Sequence, residues 1–406
     1  MFPRIAMVGM FLCVGLDTLQ ASRSFAQGSP LSAQKSEENW IGYTQLKTNQ
    51  SGGRFENIRT MRAYVGRVDG SQASEVVPSV IQSEFEWTQF AGWSPHGAEA
   101  VVLHGWEDPV NAKWEEEHRQ FRFDPEAWRL DILLVDRDAK RITNISEVER
   151  VSHYNSGLFF WPNDETRLGF TALIDGESHP FTMRRDGTKK SDLTKGKSGF
   201  SYGYSSSPDG RRIAFHQNYQ IVIANQDGSE PRPVSTGDPF QFAPQWSPDS
   251  QSLLFLSGEH YHCHPYLWTS DGQRPRKLAD RGAYAGTIDF LDVPDFHGGS
   301  SDVPVWSSSG KSIYFTTLME GRVEMCESDL EGNINVLSRN HRGTHFYHPT
   351  PSKNGAYLLC GAKVDGIRQL VVYDRQKGTW TTVTRNGIGE ASMWPHWRPA
   401  IPSRLP

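Results

Sequence analysis

Short apolar stretches alternate with tight polar turns along most of the chain. One phrase recurs, in which an apolar stretch meets an aromatic residue and a Ser-Pro-Asp-Gly-like turn, and a second apolar run follows. Pro and Gly at these positions favour tight turns between two strands. Copies of the phrase lie at 90–97, 157–164, 204–210, 243–249, 303–310 and 348–355.

A second phrase follows each copy. An alternating strand ends in a polar turn such as Asp186-Gly187, and a short polar–apolar strand such as 381–384 comes next. Each unit therefore has four strands in roughly forty residues, which is the period and strand count of a propeller blade. The sequence predicts an all-β fold, a β-propeller of four-stranded blades.

The two ends of the chain predict one further blade. Six full units run from about Phe85 to Thr384, and residues 393–399 read as a first strand that lacks its partners. The N-terminal part supplies those partners as strands at 40–46, 63–68 and 74–77. The sequence thus predicts a seven-bladed β-propeller whose last blade is closed by the N-terminal and C-terminal strands, which removes exposed sheet edges. The alternative is a six-bladed ring with unpaired ends.

Residues 1–26 have the pattern of a signal peptide. Arg4 precedes the mostly apolar stretch Ile5–Leu16, and Ser24-Phe25-Ala26 fits a cleavage site. An apolar stretch of roughly a dozen residues is too short to span a bilayer comfortably. The sequence predicts a periplasmic or secreted protein, with residues 27–406 as a single propeller domain and no membrane span after signal cleavage. An uncleaved anchor or a buried helix is the alternative.

Net charge bears on the class of binding partner, and cysteine content bears on disulfide bonding. The net charge of −5 and the pI of about 6.3 leave no broad basic face, so no nucleic acid partner is expected. After cleavage Cys263, Cys326 and Cys360 remain, an odd and widely spaced set that implies no disulfide framework. One bridge or three buried free thiols are both compatible with this spacing. We expect a monomer.

Histidines gather on one predicted face. In a blade, the loops from strand four to the next strand one and from strand two to strand three share a face. Of the 14 histidines, all but His96 and His396 lie toward that face or its central funnel. Histidine serves both as a metal ligand and as a base near neutral pH. A ligand or catalytic site is therefore predicted on this face.

The spacing of two histidine groups bears on their geometry. His260, His262 and His264 alternate, so on an extended strand their imidazoles face one way. His345 and His348 lie three apart and need a turn between them to face the same way. A solvated loop is the alternative for the first group.

Two long inserts, at 48–61 and 104–129, add to the same face. The second carries Trp106, Trp114 and Trp128, and the first carries Arg54. Arg forks bind carboxylates, and aromatic rings stack on sugar faces. The inserts fit an acidic saccharide, although they would equally serve as caps of the ring.

The repeated Trp-Ser-Pro-Asp phrase with Asp-Gly hairpins resembles the TolB-like propellers, which include the TolB translocation protein and the oligogalacturonate lyases. The resemblance covers nearly the whole mature chain. In the lyases, a His-Pro-His-Pro stretch carries metal-binding histidines. His348-Pro349 matches its second half, and Phe346 stands in place of its first histidine.

Other ligand positions of the lyase family differ here. The family's glutamine ligand has no counterpart at Gly343, and Asp302 or Val303 stands where the family has a further histidine. The His-rich segment of the family matches residues 258–264. The resemblance therefore implies a rebuilt metal site.

Together these patterns favour a metal-assisted lyase or a binder of acidic, uronate-containing oligosaccharides. In β-elimination a base removes the proton beside the carboxylate, and a metal or an Arg neutralises that carboxylate. The predicted catalytic residues are His216 or His262 as base and Arg54 or Arg184 on the carboxylate. The predicted ligands of a divalent manganese, zinc or calcium ion are His260, His264, His345 and His348. The alternative is a non-catalytic TolB-like propeller that acts on a protein partner as a periplasmic interaction module.

Overall fold

The described residues form an all-β fold of three four-stranded sheets, one five-stranded sheet and one twelve-stranded sheet. The structure is a computed structural model, and it describes residues 39–48, 50–118, 122, 126–136, 142–144, 150–151, 158–174, 177–197, 199–259, 262–284 and 302–399. The predicted signal peptide at 1–26 lies outside these residues. The sheets follow one another along the chain, as expected of a propeller.

Six groups of strands that are consecutive in sequence form antiparallel ladders: one five-stranded sheet, three four-stranded sheets and two four-stranded groups within one twelve-stranded sheet. Their strands are β4 (Glu86–Trp93), β5 (Glu99–Glu107), β6 (Trp128–Asp136) and β7 (Ile142–Asn144); β8 (Arg150–Val151), β9 (Phe159–Trp161), β10 (Asp164–Ile174), β11 (Glu177–Arg184) and β12 (Ser191–Asp192); β13 (Ser201–Ser206), β14 (Arg212–Gln217), β15 (Gln220–Asn225) and β16 (Arg232–Val234); β17 (Phe240–Trp246), β18 (Ser252–Glu259), β19 (His262–Thr269) and β20 (Arg276–Lys277); β21 (Val305–Trp306), β22 (Ser312–Met319), β23 (Arg322–Asp329) and β24 (Ile334–Val336); β25 (His345–Pro351), β26 (Tyr357–Val364), β27 (Ile367–Asp374) and β28 (Thr379–Thr382).

The last four strands of the twelve-stranded sheet join the two ends of the described chain. They are β1 (Trp40–Lys47), β2 (Arg62–Arg67), β3 (Ser74–Glu75) and β29 (Glu390–Trp397). β29 runs antiparallel to β1, with Met393 opposite Thr44 and Glu390 opposite Lys47. The predicted pairing of the N-terminal and C-terminal strands is therefore present. Met393 is fully buried, so this strand also contributes to the core.

Local hydrogen bonds explain why the repeated phrase makes a turn. The Ser207 hydroxyl donates to Asp209 (2.6 Å) and accepts from the Arg212 amide (3.0 Å). Gly210 then closes the turn with φ +71°, a conformation that costs glycine little. The same Ser-to-Asp hydrogen bond recurs at Ser247. Apolar residues on both sides of these turns pack between neighbouring sheets as the core.

Both predicted inserts contain a helix. α1 (Arg54–Ile58) lies between β1 and β2, and α2 (Pro109–His118) lies between β5 and β6. Each insert leaves its sheet between the second and third strand, so both lie on the predicted histidine face. None of the helices in the described ranges reaches the length and apolarity that a bilayer crossing requires.

Candidate functional site

A buried carboxylate, Asp302, organises the part of the face that lies near β25. Its Oδ1 accepts the backbone N–H of His348 (3.0 Å), and its Oδ2 accepts the hydroxyl of Tyr284 (3.2 Å). The Thr316 hydroxyl also donates to Oδ2, and the Arg281 guanidinium lies 3.7 Å from it. Burial raises the pKa of Asp302, and the Arg281 charge opposes that rise. We call these residues with His264 and His345 the Asp302 network.

Arg281 links this network to His264. Its side chain is 1% exposed and donates to the carbonyl oxygen and hydroxyl of Thr316 (3.0 and 3.2 Å). Its backbone N–H donates to His264 Nδ1 (3.1 Å), so that ring nitrogen acts as an acceptor. Burial lowers the pKa of His264, although nearby Asp280 opposes this. The hydrogen bond from the Arg281 backbone thus fixes the position of the His264 ring, and burial favours its neutral form.

His345 joins the same network from the first residue of β25. Its Nε2 lies 3.4 Å from the Tyr284 hydroxyl, and the two rings meet edge to face with centroids 5.7 Å apart. The hydroxyl that contacts His345 also contacts Asp302. Tyr284 therefore bridges an imidazole and a carboxylate, which is an arrangement able to pass a proton between them.

A β-bulge sets the position of His348. The register shifts between Tyr347 and Thr350, and His348 itself has φ +50°. Its imidazole stacks on Trp394, with centroids 5.6 Å apart. This bulge supplies the irregularity that the spacing of His345 and His348 requires. Bulges re-aim side chains and are frequent beside functional sites.

The same bulge recurs in the first strands of other sheets. The residues with positive φ at the equivalent positions are Gly203, Ala243 and Trp394. The bulge is thus an architectural feature of these strands, and in β25 the residue at this position carries an imidazole, that of His348. Its stacking partner Trp394 occupies the next such bulge.

The described donors do not fit a metal ion. No group of three or more His, Cys, Asp or Glu side chains in the described ranges is placed to bind one. His264 Nδ1 is taken by a backbone N–H, and the Asp302 oxygens accept from protein donors. The guanidinium of Arg281 already supplies the positive charge beside Asp302. Among the described residues, His264, His345 and His348 thus form no such group, and the fourth predicted ligand, His260, lies outside the described residues.

His216, predicted as a base, lies in an aromatic cluster instead. It is 2% exposed and packs against the rings of Phe200, Tyr202, Tyr219 and Phe242. Burial lowers its pKa to about 3. A base with so low a pKa removes protons poorly near neutral pH. The other predicted base, His262, is exposed at the start of β19 and lies opposite Glu259.

Neither predicted arginine reaches the Asp302 network in this arrangement. Arg54 is buried and its Nη2 lies 3.0 Å from Glu115 of α2, so a carboxylate of the protein already occupies it. Arg184 is exposed where the turn from β11 to β12 begins. Turns from strand three to strand four lie on the opposite face from the histidines. The structure thus separates Arg184 from His216 and His345.

Sequence reasoning missed Arg281, Tyr284 and Trp394. Arg281 and Tyr284 follow β20, in a loop from strand four to the next strand one. The rule that sorted the histidines places this loop on the same face. A search that included Arg and Tyr would have found both. Trp394 offers no such signal, because only the fold brings it beside His348.

Comparisons with known proteins bear on the fold. No family model matches the chain, and no curated protein matches it in sequence. An oligogalacturonate lyase in complex with manganese is 12% identical with a TM-score of 0.54, and the match covers 85% of each chain. A Mycobacterium tuberculosis puromycin-hydrolyzing peptidase is 14% identical with a TM-score of 0.52, covering 72% of this chain.

The chain spans 46% of that peptidase's length. TolB from Acinetobacter baumannii matches at 12% identity over 89% of this chain and 67% of its own, with a TM-score of 0.49. The likeness lies in the fold. The predicted resemblance to oligogalacturonate lyase propellers is confirmed at that level.

Proposed function

We propose that this chain is an exported, seven-bladed propeller that binds acidic, uronate-containing oligosaccharides at the Asp302 network. The ring is supported by the succession of four-stranded groups along the chain and by the pairing of β29 with β1. Export is supported by the signal-peptide pattern at 1–26. The observation that carries the site is the convergence of three predicted histidines, His264, His345 and His348, on one network.

The chemistry of the network suits a sugar acid. His345 is half-buried, so it combines a fixed position with access to solvent. Trp394 beside His348 offers a ring face for a pyranose, and imidazole nitrogens pair with hydroxyl and carboxylate groups. Buried Arg281 balances the charge of ionised Asp302, so this pair adds no net negative charge that would repel an anionic ligand.

β-Elimination at the uronate is the sharper form of this proposal. His345 is our candidate base in place of His216, because its Nε2 contacts a hydroxyl that leads to Asp302. It would remove the proton beside the carboxylate, and the double bond would form as the carbon–oxygen bond to the leaving sugar breaks. The leaving oxygen would take up a proton, which His345 and the Tyr284 hydroxyl would relay. No step of this proposal uses a metal.

An ultraviolet assay tests the elimination. Galacturonate, glucuronate and mixed uronate hexamers are incubated with the mature protein, and absorbance of the new conjugated double bond is followed. His345→Ala should slow the reaction by about a hundredfold or more, the usual scale for losing a general base. If hexamers bind without any change in absorbance, the lyase activity is refuted and oligosaccharide binding remains as the function.

A protein-interaction role is the second candidate. A cavity of about 530 Å³ lies against the first strands of three successive sheets. Its wall is formed by Leu158, Phe159, Phe160, Pro162, Gly203, Tyr204, Ser205, Ser206, Pro208, Ala243, Pro244 and Gln245. A mostly apolar cavity of this size suits a short peptide segment. A mature protein that binds no acidic oligosaccharide would favour this function.

A further inference from the structure

A group of aromatic rings lies at the edge of two neighbouring sheets, apart from the Asp302 network. Tyr219 is at its centre, with ring centroids 4.8 Å from Phe200 and 5.0 Å from Phe240. These three rings are half-buried, so each keeps part of its surface in solvent. The group, named here the aromatic platform, consists of Phe200, Tyr202, His216, Tyr219, Phe240 and Phe242.

The platform shares a face with the Asp302 network. Tyr219 lies in the turn between β14 and β15, and Phe240 opens β17. Turns from strand two to strand three and openings of first strands lie on the histidine face. His345, which opens β25, lies on that same face.

Tyr219 adopts a backbone conformation that its side chain disfavours. It has φ +64° and follows Asn218 with φ +48°, in a two-residue turn between Gln217 and Gln220. Such turns favour Asn-Gly, because both residues need positive φ. A bulky residue at the second position is an outlier that costs free energy. A glycine there would make the turn more easily.

His216 beneath Tyr219 is a second unfavourable choice. Its ring is parallel to the Tyr219 ring, with an interplanar angle of 5° and centroids 5.9 Å apart. Its Nδ1 is buried and has no hydrogen-bond partner among the described residues. A phenylalanine would fill this space without leaving a polar atom unpaired. Neutral imidazole keeps the floor of the platform uncharged.

Two locally unfavourable residues therefore meet in one partly exposed aromatic group. Local choices that oppose stability are expected at functional sites, where another role retains them. We propose that the aromatic platform is a second carbohydrate subsite, which stacks the uncharged face of a neutral pyranose ring on Tyr219. The rings bear no charge, so the platform selects a neutral sugar residue rather than a uronate. This inference rests on residues other than those of the proposed function.

Binding of neutral hexasaccharides tests this subsite. Gluco-, manno- and galacto-hexamers are titrated into the wild type, Tyr219→Gly and Tyr219→Phe, with melting temperatures measured in parallel. Tyr219→Gly should weaken binding of the preferred hexamer at least about tenfold, and Tyr219→Phe should retain it, because stacking needs the ring. Tyr219→Gly should also keep its melting temperature, since glycine relieves the turn. Glu320→Gly is the matched control, as Glu320 also has positive φ, +50°, in the β22–β23 turn.

The outcomes separate this inference from the proposed function. Unchanged affinity in Tyr219→Gly, or no neutral hexamer bound by the wild type, would overturn the subsite while leaving uronate binding intact. A wild type that binds neutral hexamers through Tyr219 but ignores uronate hexamers would support the subsite and refute the proposed function. Should Tyr219→Gly fail to fold, Phe240→Leu removes a neighbouring ring of the platform and should weaken binding in the same way.

Discussion

Replacing Asp302 with asparagine should destabilise the protein strongly. The substitution keeps an acceptor for the His348 amide but leaves the buried Arg281 guanidinium without its carboxylate. Breaking a buried ion pair from one side costs about 3–5 kcal/mol. For 406 residues, an unfolding entropy of about 2.1 cal/mol/K per residue gives roughly 0.8 kcal/mol/K. The expected fall in melting temperature is therefore about 4–6 °C.

A surface ion pair supplies the control for this measurement. Asp365 pairs with Arg342 at 3.0 Å, and both side chains are more than half exposed. Exposed pairs contribute about 0–1 kcal/mol, so Asp365→Asn should shift the melting temperature by about 1 °C or less. Differential scanning calorimetry of the three proteins gives the comparison. An Asp302→Asn variant that melts within about 1 °C of the wild type, which is the shift expected of the control alone, would refute the reasoning.

Three further predictions follow from described contacts. Burial raises the pKa of Glu107 to about 8 from 4.5, so the stability contributed by its protonated form is fully present below pH 4.5 and is lost as pH rises through 8. Glu107→Gln should therefore make the melting temperature depend less on pH over that range. Parallel pH profiles of the two proteins in scanning fluorimetry would contradict this. Because the described residues include no group of three or more His, Cys, Asp or Glu placed to bind a metal, His345→Ala and His348→Ala should carry the same metal content as the wild type by elemental analysis. A metal lost from either variant would restore the predicted metal site. Truncation before Glu390 removes β29 from β1, so it should cause aggregation or a melting temperature many degrees lower; a truncated chain that melts like the full one would contradict the role of β29.

Turn chemistry made the fold predictable. The Ser-Pro-Asp-Gly phrase encodes its own hydrogen bonds, as Ser207 and Asp209 show, so the four-strand repeat can be recognised without distant contacts. The pairing of β29 with β1 followed from counting strands at both ends. Helices α1 and α2 were missed, because each is short and depends on contacts such as Arg54 with Glu115.

The site was only partly predictable, because burial and distant partners decide what a residue can do. Topology assigned His264, His345 and His348 to one face, and in the structure contacts through Arg281, Tyr284 and Asp302 connect them. The same rule applied to Arg184 would have assigned it to the other face. The sequence could not show that burial lowers the pKa of His216 to about 3, or that Glu115 occupies Arg54 from 61 residues away.

The most direct test of the central claim is equilibrium binding of uronate hexamers by isothermal titration calorimetry. The wild type is compared with His345→Ala and with His96→Ala, whose histidine lies in the β4–β5 turn on the opposite face and pairs with Glu165. We predict that the wild type and His96→Ala bind alike and that His345→Ala binds at least about tenfold more weakly, the scale of one lost hydrogen bond to a charged group. Equal binding by all three proteins, or no binding by the wild type, would contradict the assignment of the Asp302 network as an acidic-oligosaccharide site.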